Sequence, residues 1–361
     1  MNKIMKIKYF YEIIIFCIIL FFYMHINFQL KTSNDYEIFE LDNVSKSKLD
    51  ELCDLRQPVV FNCINNMGSC SLTELSNNFS SLDLNIRDTT DLDEKSEFYI
   101  PLTLDNTLKL LKGDGNKKYI TERNQEFVKE TGKIRFFKEN DALLKPYGTI
   151  NSSYDLLSGS NGSSTPLRYE TYYRNYFQVL QGSVNVKLTP SISSKYLSVN
   201  KDYDNYEFRS EINPWNCDPK NQSDFQKIRF IDITLTPGMI FYIPAYWHYS
   251  FSYSDDTTLC NFKYRTFVNN ITILPDLFLH FLQKTNIKYT TTKNVKNIDV
   301  SSESQSKENV NSSGSSNNTP NDDSSQETIN SFGQPKSIEE MTIDRQRNNG
   351  FDKVEISKTH D

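Results

Sequence analysis

Alanine, histidine and closely spaced cysteine are all scarce in this chain. Alanine stands only at positions 142 and 245 of 361 residues, which excludes a fold built on long alanine-rich helices. Histidine occurs as His25, His248, His280 and His360, far apart along the chain, leaving little imidazole for metal chemistry. No Cys-x-x-Cys pair occurs, which argues against a structural zinc site. Cys17 lies in an apolar run. The other five, Cys53, Cys63, Cys70, Cys217 and Cys260, are odd in number and cannot all pair within one chain. An excess of positive charge is missing too, and a net charge of −6 gives no electrostatic reason to expect nucleic acid as a partner.

What is plentiful is the aromatic ring, with 24 Phe and 21 Tyr, which favours strands and cores of large residues. The stretch Thr165–Pro190 carries most of the argument. Arg168, Glu170 and Tyr172 stand two apart and on a strand share one face. Tyr176–Leu180 continues as a β-rich run, Gln181-Gly182-Ser183 breaks it, and Val184, Val186 and Leu188 then alternate with Asn185, Lys187 and Thr189. This pattern predicts a hairpin with glycine in its turn. About fifty residues on, Leu235–Tyr253 reads as turn, apolar strand, proline kink and second strand, with Leu259–Arg265 as that strand's partner.

The ends of the chain differ from this middle. After Lys3, Lys6 and Lys8, residues Tyr9–Phe28 form an apolar run long enough for a bilayer. Phe28-Gln-Leu-Lys-Thr offers no small-residue cleavage site, so a signal anchor is expected rather than a cleaved leader. Lysines before the run and Asp35, Glu37, Glu40 and Asp42 after it predict a cytosolic N-terminus (1–8), a span (9–28) and a lumenal or exterior remainder. Asn-x-Ser/Thr triplets at Asn43, Asn78, Asn151, Asn161, Asn221, Asn270, Asn311 and Asn317 fit that side, although so Asn- and Ser-rich a chain also makes them by chance. Residues 29–100 read as an α/β lead-in: a helix over Ser45–Leu55, a strand at Pro58–Phe61, a capped helix from Ser71 with Glu74 at its third position, and a helix near Asp105–Leu111 after Phe98–Leu104. Asn151–Ser164 reads as a polar loop. Pro275–Gln283 opens a helix apolar almost all round, which predicts burial against the domain or a second copy, a homodimer through 275–286. Residues 293–361 are rich in Ser, Asn, Asp and Glu and are expected to be disordered, an interaction segment for a protein partner.

The ordered motifs Thr165-Pro166-Leu167, Gly182, Pro237-Gly238, Ile243-Pro244, Tyr246-Trp247 and Asn261-Phe262 resemble the cupin-like and JmjC-type double-stranded β-helix proteins. That group includes iron- and 2-oxoglutarate-dependent protein hydroxylases, and the likeness covers roughly residues 50–290. The RYExxYRNYF…QGSVxVKL pattern, Glu207–Asn216 and Phe262–Thr266 resemble in particular the cupin-like proteins of large DNA viruses. The resemblance implies a mainly-β fold, a double-stranded β-helix (cupin or jelly-roll barrel) with flanking helices inside a domain over 101–292.

The same resemblance implies a ligand set that the residues depart from. The hydroxylases hold Fe(II) by a His-x-Asp pair and a distal His. Arg168 stands at the first position, Glu170 at the second and Tyr249 at the third, with His248 one place early and Val184 where a lysine would bind 2-oxoglutarate. A guanidinium cannot ligate a metal. The expectation is therefore a vacated metal site at Arg168, Glu170 and Tyr249, Arg168 paired with Glu170, and a pocket of Thr165, Tyr172, Val184, His248 and Asn261. No cofactor, metal or catalytic residue is expected, and the function expected is that of a membrane-anchored, non-catalytic structural or binding module. The alternatives are an oxygenase using Fe(II) and 2-oxoglutarate with atypical ligands, and a barrel binding an anion or glycan.

Overall fold

The computed structural model of the chain describes residues 2–42, 44–62, 70–90 and 99–285, with side chains from Lys8 onward. The expected disordered tail, Cys63 and the end of the 275–286 helix lie outside the described residues. Helix α1 (Asn2–Leu30) contains one stretch, Lys8–Leu30, long and apolar enough by length and composition to cross a membrane. Then come β1 (Phe39–Leu41), α2 (Lys46–Asp54), β2 (Val59–Asn62), α3 (Leu72–Phe79), β3 (Asp83–Asp88), β4 (Ile100–Thr103), α4 (Leu104–Gly113) and β5 (Tyr119–Thr121). The starts of α2 and α3 follow their capping chemistry, because Ser45 accepts the Lys48 amide and Ser71 accepts the Glu74 amide. Three short helices, α5 (Gln125–Glu130), α6 (Ile134–Glu139) and α7 (Asp141–Leu144), lead to the main run of strands.

That run is β6 (Thr149–Gly159), β7 (Arg168–Tyr169), β8 (Arg174–Gln181), β9 (Val184–Thr189), β10 (Val199–Asp202) and β11 (Glu207–Ser210). After the short α8 (Gln222–Phe225) it continues with β12 (Ile231–Leu235), β13 (Met239–Tyr242), β14 (His248–Tyr253) and β15 (Thr258–Thr266), and α9 (Phe267–Thr272) and α10 (Leu274–Thr285) close the described part. The strands form a nine-stranded sheet in the order β1-β2-β13-β8-β15-β6-β5-β3-β4 and a six-stranded sheet in the order β10-β11-β7-β14-β9-β12. From β6 onward the chain passes repeatedly between the two sheets.

Side-chain alternation sets the layers. On β8, Phe177 and Val179 face the other sheet while Tyr176 faces outward; on β14, Tyr249, Phe251 and Tyr253 face inward and His248 outward. The inner core joins these to Val184, Val186, Leu188, Leu235, Phe241 and Trp247. The outer face of the nine-stranded sheet is covered by Leu49 and Cys53 of α2, Leu72 and Leu75 of α3, and Phe127 and Phe137 of the short helices. Both faces being covered, β8 is buried for six of its eight residues. Residues 29–100 add β1 and β2 on the β13 side and β3 beside β5, with β4 pairing on the far side of β3, so this region extends the same sheet.

Three sequence expectations change. The hairpin across Gly182 is not one: β8 pairs with β13 and β15, whereas β9 pairs with β12 and β14. The turn carries the chain from one sheet to the other, and alternation on both sides of a turn looks the same either way. Leu259–Arg265 likewise pairs with β6 and β8 rather than with β14. The polar loop at Asn151–Ser164 begins as the eleven-residue strand β6, where Tyr154, Leu156 and Leu157 are buried despite the serines around them. Within the described part of one chain no residue of α10 is buried, so the late helix does not bury itself against the domain.

The corner at Gly182 is tight. It has φ of +71°, and a Cβ there would stand 2.5 Å from Thr257 Oγ1 and 2.7 Å from the Thr257 Cα. Gly238 also has positive φ, at +92°, but open space where its Cβ would go. Gly182→Ala is expected to cost about 3 kcal/mol in urea unfolding, strain and clash together, and Gly238→Ala about 1 kcal/mol from backbone conformation alone.

Candidate functional site

One end of the space between the sheets is not filled by apolar side chains. It holds a cavity of about 240 Å³ lined by charged and aromatic residues, among them Glu122, Arg168, Glu170, Tyr249, Asn261 and Lys263. The inward positions of β15 explain two of these: outward Cys260, Phe262 and Tyr264 join the outer core, which turns Asn261 and Lys263 toward the cavity. Arg168 comes from the two-residue strand β7 and Tyr249 lies across from it on β14. Glu122 follows β5, and Glu207 opens β11.

The buried charges form a network. Arg168 Nη1 donates to Glu122 Oε1 at 2.9 Å and to Glu207 Oε1 at 3.2 Å, and Nη2 donates to Glu122 Oε2. Arg87 of β3 reaches the same acids, with Nη1 2.9 Å from Glu207 Oε1 and 3.3 Å from Glu122 Oε1. Tyr99 donates to Glu122 Oε1 at 2.6 Å. All four charged side chains are buried. Burial alone would raise the Glu122 carboxyl, but Arg168 and then Arg87 outweigh it and hold it far below the usual carboxylate range. Glu207 is likewise lowered, burial being overcome by Arg87 and Arg168. The quartet is two cations against two anions.

Arg168 therefore does not pair with Glu170, as their shared face had implied. β7 ends at Tyr169, so Glu170 lies beyond the strand, where its Oε1 accepts from Lys263 Nζ at 2.8 Å and its Oε2 from Asn175 Nδ2 at 3.3 Å. Tyr249 is buried and packs on Phe177, with ring centres 5.4 Å apart. Of the five expected pocket residues, Tyr172 and Asn261 line the cavity, with Arg265 stacked 3.9 Å above the Tyr172 ring. Three do not line it. The Thr165 hydroxyl accepts the Phe251 amide at 2.9 Å, Val184 sits in the apolar core, and His248 faces outward against Tyr169.

Glu122, Glu207, Arg87 and Tyr99 were not singled out from the sequence. Their partners are 12 to 120 positions away along the chain, and no local spacing announces them. Arg87 gave no hint either, because in Leu84-Asn85-Ile86-Arg87 it falls on the polar side of the alternation and reads as solvent-facing.

Fe(II) does not fit this donor set. The guanidinium of Arg168 offers no lone pair, and Glu122 and Glu207 are committed to arginine. Among the described residues no group of three His, Cys, Asp or Glu side chains is placed to hold a metal, and neither His25, His248 nor His280 lines the cavity.

A family model for the cupin-like domain matches residues 47–270, well over half of the chain. The chain belongs to the cupin-like domain family. Among curated proteins, HSPB1-associated protein 1 of Rattus norvegicus, Bos taurus and Mus musculus is 33% identical over 93 residues. That stretch is 25% of this chain and 19% of each relative, so the likeness spans about a fifth of their length.

Two outcomes are expected for this cupin-like domain. Arg168→Ala leaves Glu122 and Glu207 sharing Arg87 alone and costs about 3–5 kcal/mol in chemical denaturation; adding Glu122→Gln restores part of the loss, because one buried charge goes with its partner. His248 gives a pH test. Burial pushes it down to about 4 from 6.5, and neither ring nitrogen has a hydrogen-bond partner among the described residues. The stability of its neutral form is complete above 6.5 and is lost as pH falls toward 4, about 3 kcal/mol in all. Asp155, raised by burial to about 6, works in the opposite direction, its contribution fading as pH rises through 6. The readout is thus the difference between wild type and His248→Gln, which should narrow from pH 7 to pH 4 as the wild type alone loses the histidine contribution.

Proposed function

We propose that this chain is a membrane-anchored cupin-like protein whose barrel has lost its metal site and acts as a non-catalytic structural or binding module. The observation that carries the reading is Arg168, which stands where the hydroxylase pattern has its first histidine and has both terminal nitrogens engaged by buried glutamates. A permanent cation there disfavours a dication nearby, and its charge is already balanced by two buried glutamates.

The winding supports a double-stranded β-helix. Strands β6, β8, β13 and β15 share one sheet and β7, β9, β12 and β14 the other, the chain alternating between them from β6 to β9 and again from β12 to β15. The Lys8–Leu30 stretch supports a single-pass anchor, with the lysines before it favouring a cytosolic N-terminus and a lumenal or exterior barrel. The viral likeness rests on the Arg168–Leu188, Glu207–Asn216 and Phe262–Thr266 patterns alone. The curated relatives bear a name that denotes association with HSPB1, and a module that holds a protein partner is the corresponding reading here.

A second reading, a ligand in the cavity, draws on its aromatic lining of Tyr169, Tyr172, Tyr206 and Phe208, where Tyr169 stacks on Phe208 at 5.1 Å. With both terminal nitrogens of Arg168 already engaged, that site favours a neutral polar ring such as a sugar over an anion.

Element analysis of the purified full-length protein tests the main reading: substoichiometric iron and a melting temperature unchanged by added Fe(II) are expected. Stoichiometric metal, or stabilisation by Fe(II) with 2-oxoglutarate turnover, restores the oxygenase. Alkaline carbonate extraction is expected to leave the full-length chain in the membrane pellet, and its release would remove the anchor.

A further inference from the structure

Helix α10 carries an apolar stripe that nothing among the described residues covers. Leu274, Phe278, Phe281 and Leu282 recur at helical spacing on one face, with Leu274 and Phe281 each 60% exposed. The opposite face is tied down. Asp276 accepts from the Tyr203 hydroxyl at 3.0 Å, and His280 meets the Tyr203 carbonyl and the edge of the Tyr206 ring. The helix is therefore held in one orientation by polar contacts and presents its apolar side outward.

Its place in the fold points to what covers that side. Helix α1 packs against α9, the helix immediately before α10. Phe22, Ile26 and Gln29, spaced as one helical face near the C-terminal end of α1, are partly or fully covered. Arg56 fixes the junction, donating to Gln29 Oε1 at 3.2 Å and lying 5.4 Å from the Phe28 ring. The domain thus begins where the apolar run of α1 ends, without a spacer. Helix α9 has six residues, which is about 9 Å of rise, so α10 starts within an interfacial depth of that junction. The charge pattern agrees. The only acid on α10 is the inward-tied Asp276, while Lys284 is exposed at its end, an arrangement suited to lipid headgroups.

We infer that α10 lies in the headgroup region of the same bilayer that α1 enters, its Leu274–Phe278–Phe281–Leu282 face in contact with acyl chains. The inference rests on the anchor reading and extends it, making the barrel a body clamped to the lipid surface at two points instead of one swinging on a single helix. A second copy of the chain suits the patch less well. The stripe offers on the order of 500 Å² of apolar surface, against roughly 800 Å² per partner in a standard interface.

Photocrosslinking separates the cases. Full-length protein in phosphatidylcholine–phosphatidylserine vesicles would carry benzoylphenylalanine in place of Phe278 or, as the anchor control, in place of Phe16, with adducts identified by mass spectrometry. Lipid adducts at both positions are expected, and Phe281→Ser with Leu282→Ser should sharply lower the yield at position 278 while leaving position 16 unchanged. All of these positions are exposed, so folding is not at stake. Adducts at 16 alone overturn the inference and leave the anchor standing. Lipid adducts at neither position remove both. Crosslinks from 278 to a second copy, or to residues 286–361 of the same chain, overturn it in favour of a dimer or an internal cover.

Discussion

The quartet of Arg87, Glu122, Arg168 and Glu207 is the constraint on which the rest of the arrangement depends. Four charges removed from water are costly, and their mutual attraction offsets the loss only if each cation meets carboxylate oxygens at hydrogen-bond distance. The observed separations of 2.9–3.3 Å, together with the shorter Arg168–Glu122 contact, meet that condition. They also dictate which parts of the chain must converge. Arg87 comes from the lead-in strand β3, Glu122 from the end of β5, Arg168 from β7 and Glu207 from β11. Two sheets and both flanks of the cupin-like domain are thereby fixed at one point, and no member can move without exposing an unpaired charge to an apolar interior.

Seen from this network, the sequence was legible at the level of elements and opaque at the level of partners. Val184, Val186 and Leu188 do face the core, and Ser45 and Ser71 do cap their helices, because alternation and capping are decided within a few residues. Whether the strands flanking Gly182 pair with each other is decided elsewhere, by β13, β14 and β15 arriving from more than fifty residues downstream. Strand β6 was hidden for a different reason: Ser152, Ser153 and Ser158 pair like any strand residue once β5 and β15 provide a sheet, yet by composition they read as a loop.

The same limit explains the candidate site. Arg168, Glu170 and Tyr249 do line one cavity, and their common face was visible from spacing and motif order. The pairing of Arg168 with Glu170 was the error, and it came from reading nearness along a strand as contact. The partners of Arg168 lie 46 and 39 positions away, while Glu170 is drawn to Lys263, 93 positions on. Sequence proximity fixes which way a side chain points; only the tertiary approach of other strands fixes what it meets.

That division of partners also sets the electrostatics of the cavity. Arg168 is occupied by Glu122 and Glu207 on one wall, and Lys263 by Glu170 on another, so each of these cations brings its own counter-charge. An incoming anion would have to displace a buried carboxylate from a guanidinium that the two glutamates hold firmly charged, and the displaced acid would have nowhere favourable to go. A neutral ligand meets no such penalty. The aromatic lining is itself partnered, with Arg265 over Tyr172 and Phe208 stacked on Tyr169. Arg168 thus does more than line the cavity: by drawing Glu122 and Glu207 to itself it leaves that wall electrically closed.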